Sequence, residues 1–286
     1  MRFTAQADGR LLDLLQARFP EASRTTLRRM LGHGRVGVDG AIARRGDEPV
    51  RAGQEIEVSA RARRAPEPPC RIVLRDDHLL AVEKPPGILS VARDPALDDT
   101  IYRRLNEYLG RTSEGRERVF IVHRLDREAS GLMLFALSAE IQEALQRDWK
   151  RTEKRYWALV EGRPPEREGT VRGWLRENAI HRVYCAPPGA GARLAVTRYR
   201  LRVGGAGHSL LDIRIETGRK NQIRVHMADL GCPIAGDRKY GARGDPLGRL
   251  ALHAYLLAFT HPVSRERIRL RLPLPAAFRI SGLRGG

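Results

Sequence analysis

The stretch His123-Arg124-Leu125-Asp126-Arg127-Glu128 concentrates side chains suited to acid–base or nucleophilic chemistry. Asp126 stands between Arg124 and Arg127, and nearby positive charge favours the ionised carboxylate, the form that acts as a base or nucleophile. The same cluster also suits an ordinary solvated turn, so its meaning depends on what the rest of the chain brings to it. His123, His226 and His253 fit no metal-ligand spacing, and no metal is expected. Cys70, Cys185 and Cys232 are odd in number and lack CxxC spacing, so neither disulfides nor structural zinc is expected. A hydrolase pairing Asp126 with His123 would need a nucleophile motif such as GxSxG, which is missing. Without a Walker sequence there is no sign of a bound NTP, and no cofactor is expected.

The elements that must position Asp126 are short and apolar. Val119-Phe120-Ile121-Val122 leads into the cluster and Leu132-Met133-Leu134-Phe135-Ala136 leads out, and both read as buried strands, with Ser130-Gly131 as the turn between them. Upstream, Ile72-Val73-Leu74 and Leu79-Leu80-Ala81-Val82 read as strands around a turn at 75–78, and residues 97–109 read as a helix. Arg155-Tyr156-Trp157-Ala158-Leu159-Val160 reads as another strand. Strands and helices alternate irregularly, which predicts an α+β fold on a mixed, mainly antiparallel sheet rather than a strict βαβ series.

Residues 1–58 read as a separate unit. Leu11, Leu12, Leu14 and Leu15 mark a helix ending near Phe19-Pro20, and Ser23 caps a second helix that turns Leu27, Met30 and Leu31 inward. Its outward face carries Arg24, Arg28 and Arg29. Short strands follow at 36–38, 42 and 56–58, with a turn at Asp39-Gly40. Residues 59–70 have the proline and charge content of a linker.

Among its 286 residues the chain has 52 Lys and Arg against 34 Asp and Glu, a formal net charge of +18 spread along its length. Such an excess predicts a polyanionic partner. Nucleic acid is favoured over a membrane, because no apolar run approaches bilayer length. The N-terminus lacks an apolar signal core, so a cytoplasmic location is expected.

Four motifs then occur in a characteristic order: Asp77-His78-Leu79-Leu80 with Lys84-Pro85-Pro86-Gly87; His123-Arg124-Leu125-Asp126; Lys154-Arg155-Tyr156-Trp157-Ala158-Leu159-Val160; and Thr217-Gly218-Arg219-Lys220-Asn221-Gln222-Ile223-Arg224-Val225-His226. Gly236-Asp237 with Tyr240, and Leu252-His253-Ala254, extend the series. Over residues 70–275 the chain resembles the RluA-type pseudouridine synthases, and residues 1–58 resemble the S-four-like (αL-motif) RNA-binding domain. Two departures are visible: Ala129 where the family usually has Thr, and Lys220-Asn221 where a residue followed by His is commoner. Neither is expected to touch the chemistry.

The resemblance implies a small RNA-binding domain at 1–58, a linker at 59–70 and a catalytic domain at 71–286. It implies isomerisation of specific uridines in structured RNA by a monomer, with ribosomal RNA the expected substrate and transfer RNA the alternative. Asp126 becomes the catalytic carboxylate, acting on the sugar, on the base or on a ribose proton. Tyr156 becomes the surface on which an extruded base stacks, its phenol available for proton transfer at carbon 5. Arg224 becomes the ionic partner that keeps Asp126 charged, turned away from Ile223 and Val225, which are expected to share a buried side. Arg124, Arg127 and Arg219, with Arg24, Arg28 and Arg29, are expected to contact RNA. The competing reading is a catalytically silent RNA-binding or ribosome-assembly protein with the same fold.

Overall fold

The computed structural model describes residues 1–59, 66–92, 99–113, 115–205 and 207–279, with the backbone of 283–284. Residues 60–65 of the expected linker, and 97–98 of the expected helix, lie outside the described residues. The chain divides into two compact units, residues 1–69 with 105–118, and residues 70–104 with 119–286.

In the first unit, helices Leu11–Arg18 and Arg24–Gly32 accompany a four-stranded sheet ordered Arg2–Thr4, Glu55–Val58, Val36–Val38, Ala41–Ala43. Ser23 caps the second helix, its Oγ accepting from Thr26 N–H at 3.1 Å. Asp39 and Gly40 both have positive φ, the conformation a tight hairpin between 36–38 and 41–43 needs. Leu11, Leu15, Leu27, Leu31, Val36 and Ile56 form the core, each side chain contributing roughly 1.5–3 kcal/mol through burial.

The second unit is built on a 12-stranded sheet. Its main path runs Val183–Ala186, Glu168–Glu177, Arg193–Gly205, His208–Ile215, Glu153–Glu161, Leu252–Thr260, Ser130–Ala136, Leu79–Lys84, Arg71–Arg75. Pairing is antiparallel except between Ser130–Ala136 and Leu252–Thr260, so the expected mixed, mainly antiparallel α+β architecture is present. The helix expected at 97–109 runs Ile101–Thr112, and Thr100 Oγ1 accepts from Arg103 N–H at its start.

Ser130-Gly131 is not the turn that its composition suggests. Both residues open the strand 130–136, and Gly131 pairs with Ala254 of the parallel neighbour. At φ +115° a Cβ there would lie 2.1 Å from Ala254 O, so glycine is required by close approach of two backbones rather than by a reversal. This junction fixes where the preceding loop, 122–129, leaves the sheet.

The helix Gln222–Asp229 is enclosed on all sides, with Gln222 through Met227 buried. Ile223 packs in one core cluster and Val225 in another, as expected for helical residues about 200° apart. The expectation that Ile223 and Val225 share one buried side is thereby corrected, and Arg224, turned elsewhere on the helix, is buried as well.

Candidate active site

The loop 122–129 is tied down at alternate positions. His123 Nε2 accepts from Leu134 N–H at 2.9 Å, and its ring stacks on Trp149 at 4.5 Å. Burial pulls the His123 pKa down to about 3, which keeps this acceptor neutral. Ser90 Oγ accepts from Leu125 N–H (3.0 Å) and donates to Leu125 O (2.8 Å). Lys84, fully buried, donates from Nζ to Pro85 O and Ile88 O at 2.8 Å and to Arg127 O at 3.1 Å. Burial lowers the Lys84 pKa to about 8, still above neutrality, and the nearby Glu128 and Asp126 charges favour its ammonium form. With 123, 125 and the 127 carbonyl held inward, the side chains of Arg124, Asp126, Arg127 and Glu128 are left toward the open side.

Tyr156 comes from the strand 153–161, whose register against 252–260 shifts between Arg155 and Tyr156. Bulges of this kind re-aim a side chain and cluster beside functional sites. Tyr156 is 9% exposed. Burial, reinforced by the Asp126 charge, raises its pKa, so the phenol keeps its proton at neutral pH.

Asp126, Tyr156 and Arg224, far apart in sequence, line one pocket of about 170 Å³ together with Arg124, Leu125, Arg219, Asn221, Ile223 and Leu252. A neighbouring open groove of about 500 Å³ shares Lys220 and adds Arg127, Arg238, Lys239 and Arg249 to the rim; these cations outnumber its carboxylates, which include Glu128, Asp237 and Asp245, and the excess suits phosphates. Arg238, Lys239 and Arg249 were not singled out in the sequence. Another cavity of about 500 Å³ is lined by Arg155, Arg198, Arg200, Arg202, Arg214 and others, but its carboxylates are consumed internally: Asp212 is held by Arg202 (2.8 Å), Arg155 (3.3 Å) and Tyr255 Oη (2.9 Å).

Arg224 reaches Asp126 as expected, but weakly, NH1 lying 3.5 Å from Oδ2 and equally far from Glu128. Its strong partner is Asp237, which accepts from Nε (2.7 Å) and NH2 (2.8 Å) in a two-pronged pair. Burial alone would lower the Arg224 pKa; the Asp237 hydrogen bonds and charge, with Asp126 and Glu128, raise it instead. Asp237 appeared in the sequence only as part of a motif, and nothing local assigns it this role.

Flanking arginines do not settle the ionisation of Asp126, contrary to the sequence expectation. Burial raises its pKa and outweighs Arg224 and Arg124, while Glu128 adds to the rise. Asn221, expected to be remote from the chemistry, touches this carboxylate: with its oxygen on Tyr240 Oη (2.9 Å), its nitrogen donates to Oδ1 (3.2 Å) and Oδ2 (3.0 Å).

The three histidines occupy separate structural positions. His226 Nδ1 bonds Thr197 Oγ1 and His253 Nδ1 bonds Ser130 Oγ, each at 2.9 Å. In the first unit, Arg24, Arg28 and Arg29 are exposed on the second helix as expected, and Arg24 pairs with Asp13 at 2.8 Å.

A carboxylate beside an apolar-floored pocket, a buried phenol and a basic rim can serve acid–base or nucleophilic chemistry on a base presented from a polyanion. A family model described as RNA pseudouridylate synthase matches residues 78–229, which span Asp126, Tyr156 and Arg224. The chain belongs to this family. It is 37% identical to the Ribosomal large subunit pseudouridine synthase D of Xanthomonas campestris, across 94% of this chain and 87% of that protein. An uncharacterised RNA pseudouridine synthase of Mycobacterium bovis is 35% identical, across 94% of this chain and 92% of its own length. Among solved structures, Human RNA Pseudouridylate Synthase Domain Containing 4 superposes with a TM-score of 0.60 at 26% identity, covering 73% of this chain and 90% of that one. The RluA-type family read from the motifs therefore stands, and the protein is an isomerase that converts uridine to pseudouridine in RNA.

Proposed function

We propose that the enzyme modifies uridine in large-subunit ribosomal RNA and that Asp126 acts directly on the target nucleotide. The observation carrying this reading is the convergence of Asp126, Tyr156 and Arg224 on one pocket from three distant segments. The reaction breaks the bond between N1 and the ribose C1′, turns the base, and joins C5 to C1′; the C5 proton leaves and N1, which carried none in uridine, takes one up. Asp126 attacks the sugar or the base, or takes a ribose proton, and each route uses the ionised carboxylate. The target base must leave its helix, at a cost of a few kcal/mol, and Tyr156 offers the face on which it stacks. Kept protonated at neutral pH, its phenol suits delivering the proton that N1 takes up rather than removing the one that leaves C5.

Arg224 acts mainly as scaffold and charge balance, its guanidinium anchored on Asp237 with one nitrogen left toward Asp126. Arg124 fills the gap left by the flipped base or holds its phosphate, and Arg127 and Arg219 contact the backbone alongside. Residues 1–58 act as an S-four-like RNA-docking domain through Arg24, Arg28 and Arg29, followed by a linker at 59–70, with the catalytic domain at 71–286. The enzyme works as a cytoplasmic monomer. The ribosomal substrate is supported by relatives in Xanthomonas, Neisseria and Nitrosomonas that are named for the large ribosomal subunit; transfer RNA is the alternative.

The test is tritium release from C5-labelled uridine in large-subunit ribosomal RNA. Parent protein should release tritium and folded Asp126→Asn should not, falling by at least a thousandfold, about 4 kcal/mol in barrier at ~1.4 kcal/mol per tenfold. Equal rates would refute the role of Asp126. Release only from transfer RNA would refute the substrate.

A further inference from the structure

We infer that Asn221, oriented by Tyr240, positions Asp126: its amide nitrogen bridges both carboxylate oxygens, holding the group ionised and aimed into the pocket. The inference rests on Asp126 being the catalytic carboxylate proposed above.

Hydrogen-bond bookkeeping fixes the amide orientation. Val183 N–H donates to Tyr240 Oη at 3.3 Å, so the phenol oxygen already accepts one proton and has one of its own to give. It gives that proton to the Asn221 side-chain oxygen at 2.9 Å, which leaves the amide nitrogen facing Asp126 Oδ1 (3.2 Å) and Oδ2 (3.0 Å). The reverse orientation would set an amide oxygen against a carboxylate and crowd Tyr240 Oη with two N–H donors. Asn221 and Tyr240 are both buried, so each misplaced polar atom would lack water to compensate.

Both Asn221 contacts are shorter than the 3.5 Å from Arg224, which has committed its other two nitrogens to Asp237. The backbone also points to a constrained role. Asn221 has φ +53°, just before the helix 222–229, a left-handed conformation that asparagine tolerates better than most residues. Such strain persists where surrounding structure imposes it. The charged and titratable groups facing Asp126 are Arg224 from that helix, Arg124 and Glu128 from its own loop, Lys84 from the strand 79–84 and Tyr156 from the strand 153–161, with Arg219 and Lys220 lining the same pocket. Asn221 is a neutral donor within 3.2 Å of both oxygens, and it favours the carboxylate, which accepts twice, over the carboxylic acid.

The experiment uses the full chain with Asn221→Gly, which accommodates the positive φ while deleting the amide. Tyr240→Phe is the second variant and deletes only the orienting hydroxyl. Single-turnover tritium release is followed from acid to alkaline pH, with RNA affinity and melting measured beside it, and Asp126→Asn run in parallel. Asn221→Gly should move the acid limb upward by about one pH unit, as loss of a charge-assisted hydrogen bond implies. Its rate should fall roughly tenfold at pH values below both limbs and recover toward the parent once pH exceeds the shifted limb, with RNA affinity within about twofold. Tyr240→Phe should shift the limb in the same direction by less. A parental limb and rate in Asn221→Gly, with Asp126→Asn inactive, would overturn the positioning role and leave the catalytic reading intact. A uniformly slow Asn221→Gly with an unshifted limb would reduce Asn221 to packing and equally overturn the inference. An active Asp126→Asn would overturn the catalytic reading first, and this inference with it.

Discussion

Replacing Asp237 by asparagine tests whether Arg224 depends on Asp237 rather than on Asp126. Asp237→Asn is nearly isosteric and removes one charge from a side chain that is 0% exposed. Arg224, itself 8% exposed, then keeps only the 3.5 Å contacts to Asp126 and Glu128, both through one nitrogen. Its Nε and NH2 face an amide that can accept from one of them and sets an N–H against the other. Breaking a buried ion pair from one side costs about 3–5 kcal/mol, because the remaining charge is stranded away from water.

For a folding unit of this size, about 1 kcal/mol corresponds to roughly 2–4 °C in melting temperature. Asp237→Asn should therefore melt roughly 6–20 °C below the parent in calorimetry near neutral pH. Asp126→Asn is the matched control. Burial raises the Asp126 pKa, so its ionised form costs stability that appears as pH rises through that raised value. Asn at 126 removes this cost; that variant should melt at or above the parent near neutrality, with the advantage shrinking in acid. One substitution is thus expected to abolish turnover and spare the fold, while the other damages the fold. The reasoning fails if Asp237→Asn melts within a degree of the parent while Asp126→Asn collapses.

Four further outcomes are expected. The acid limb of kcat/KM for the parent should lie above the ordinary aspartate range, since activity needs the ionised form of a carboxylate whose pKa burial has raised; a limb at or below pH 3.8 would contradict this. Tyr156→Leu should lose turnover through loss of the stacking ring, and Tyr156→Phe should stall as well if the phenol carries a proton; parental rates in both would leave Tyr156 a core residue. Gly131→Ala should destabilise the protein by about 3 kcal/mol in urea titration, because the added Cβ meets the Ala254 backbone rather than a movable side chain. Removal of residues 1–58 should weaken RNA binding and flatten its salt dependence more than it slows single-turnover release, and unchanged affinity would refute the docking role of Arg24, Arg28 and Arg29.

Several elements were legible because their causes are local. Ser23 reads as a cap from its own side chain, Asp39-Gly40 as a hairpin turn from its φ tolerance, and the runs at 72–74 and 79–82 as strands, the first one residue longer at each end and the second two residues longer at its end only. The motif order brought Asp126, Tyr156 and Arg224 forward together, although no contact among them could be computed from spacing.

The misreadings share a physical origin, because each concerned an effect that depends on what packs around a residue. Charge neighbours of Asp126 are visible in the sequence, whereas the burial that outweighs them is created by the sheet and the helix 222–229. Ile223 and Val225, expected on one buried side, lie on different faces of a helix buried from Gln222 through Met227, and the charge of Arg224 is met by Asp237 from a different segment. By residue identity alone, Asn221 is a neutral departure from the motif. Its position directly before a buried apolar helix was a usable signal: asparagine accepts the left-handed conformation, and a polar amide without water must find partners. Tyr240 Oη and the Asp126 carboxylate are those partners, so the residue that departs from the family pattern makes the shorter contacts to the proposed catalytic group.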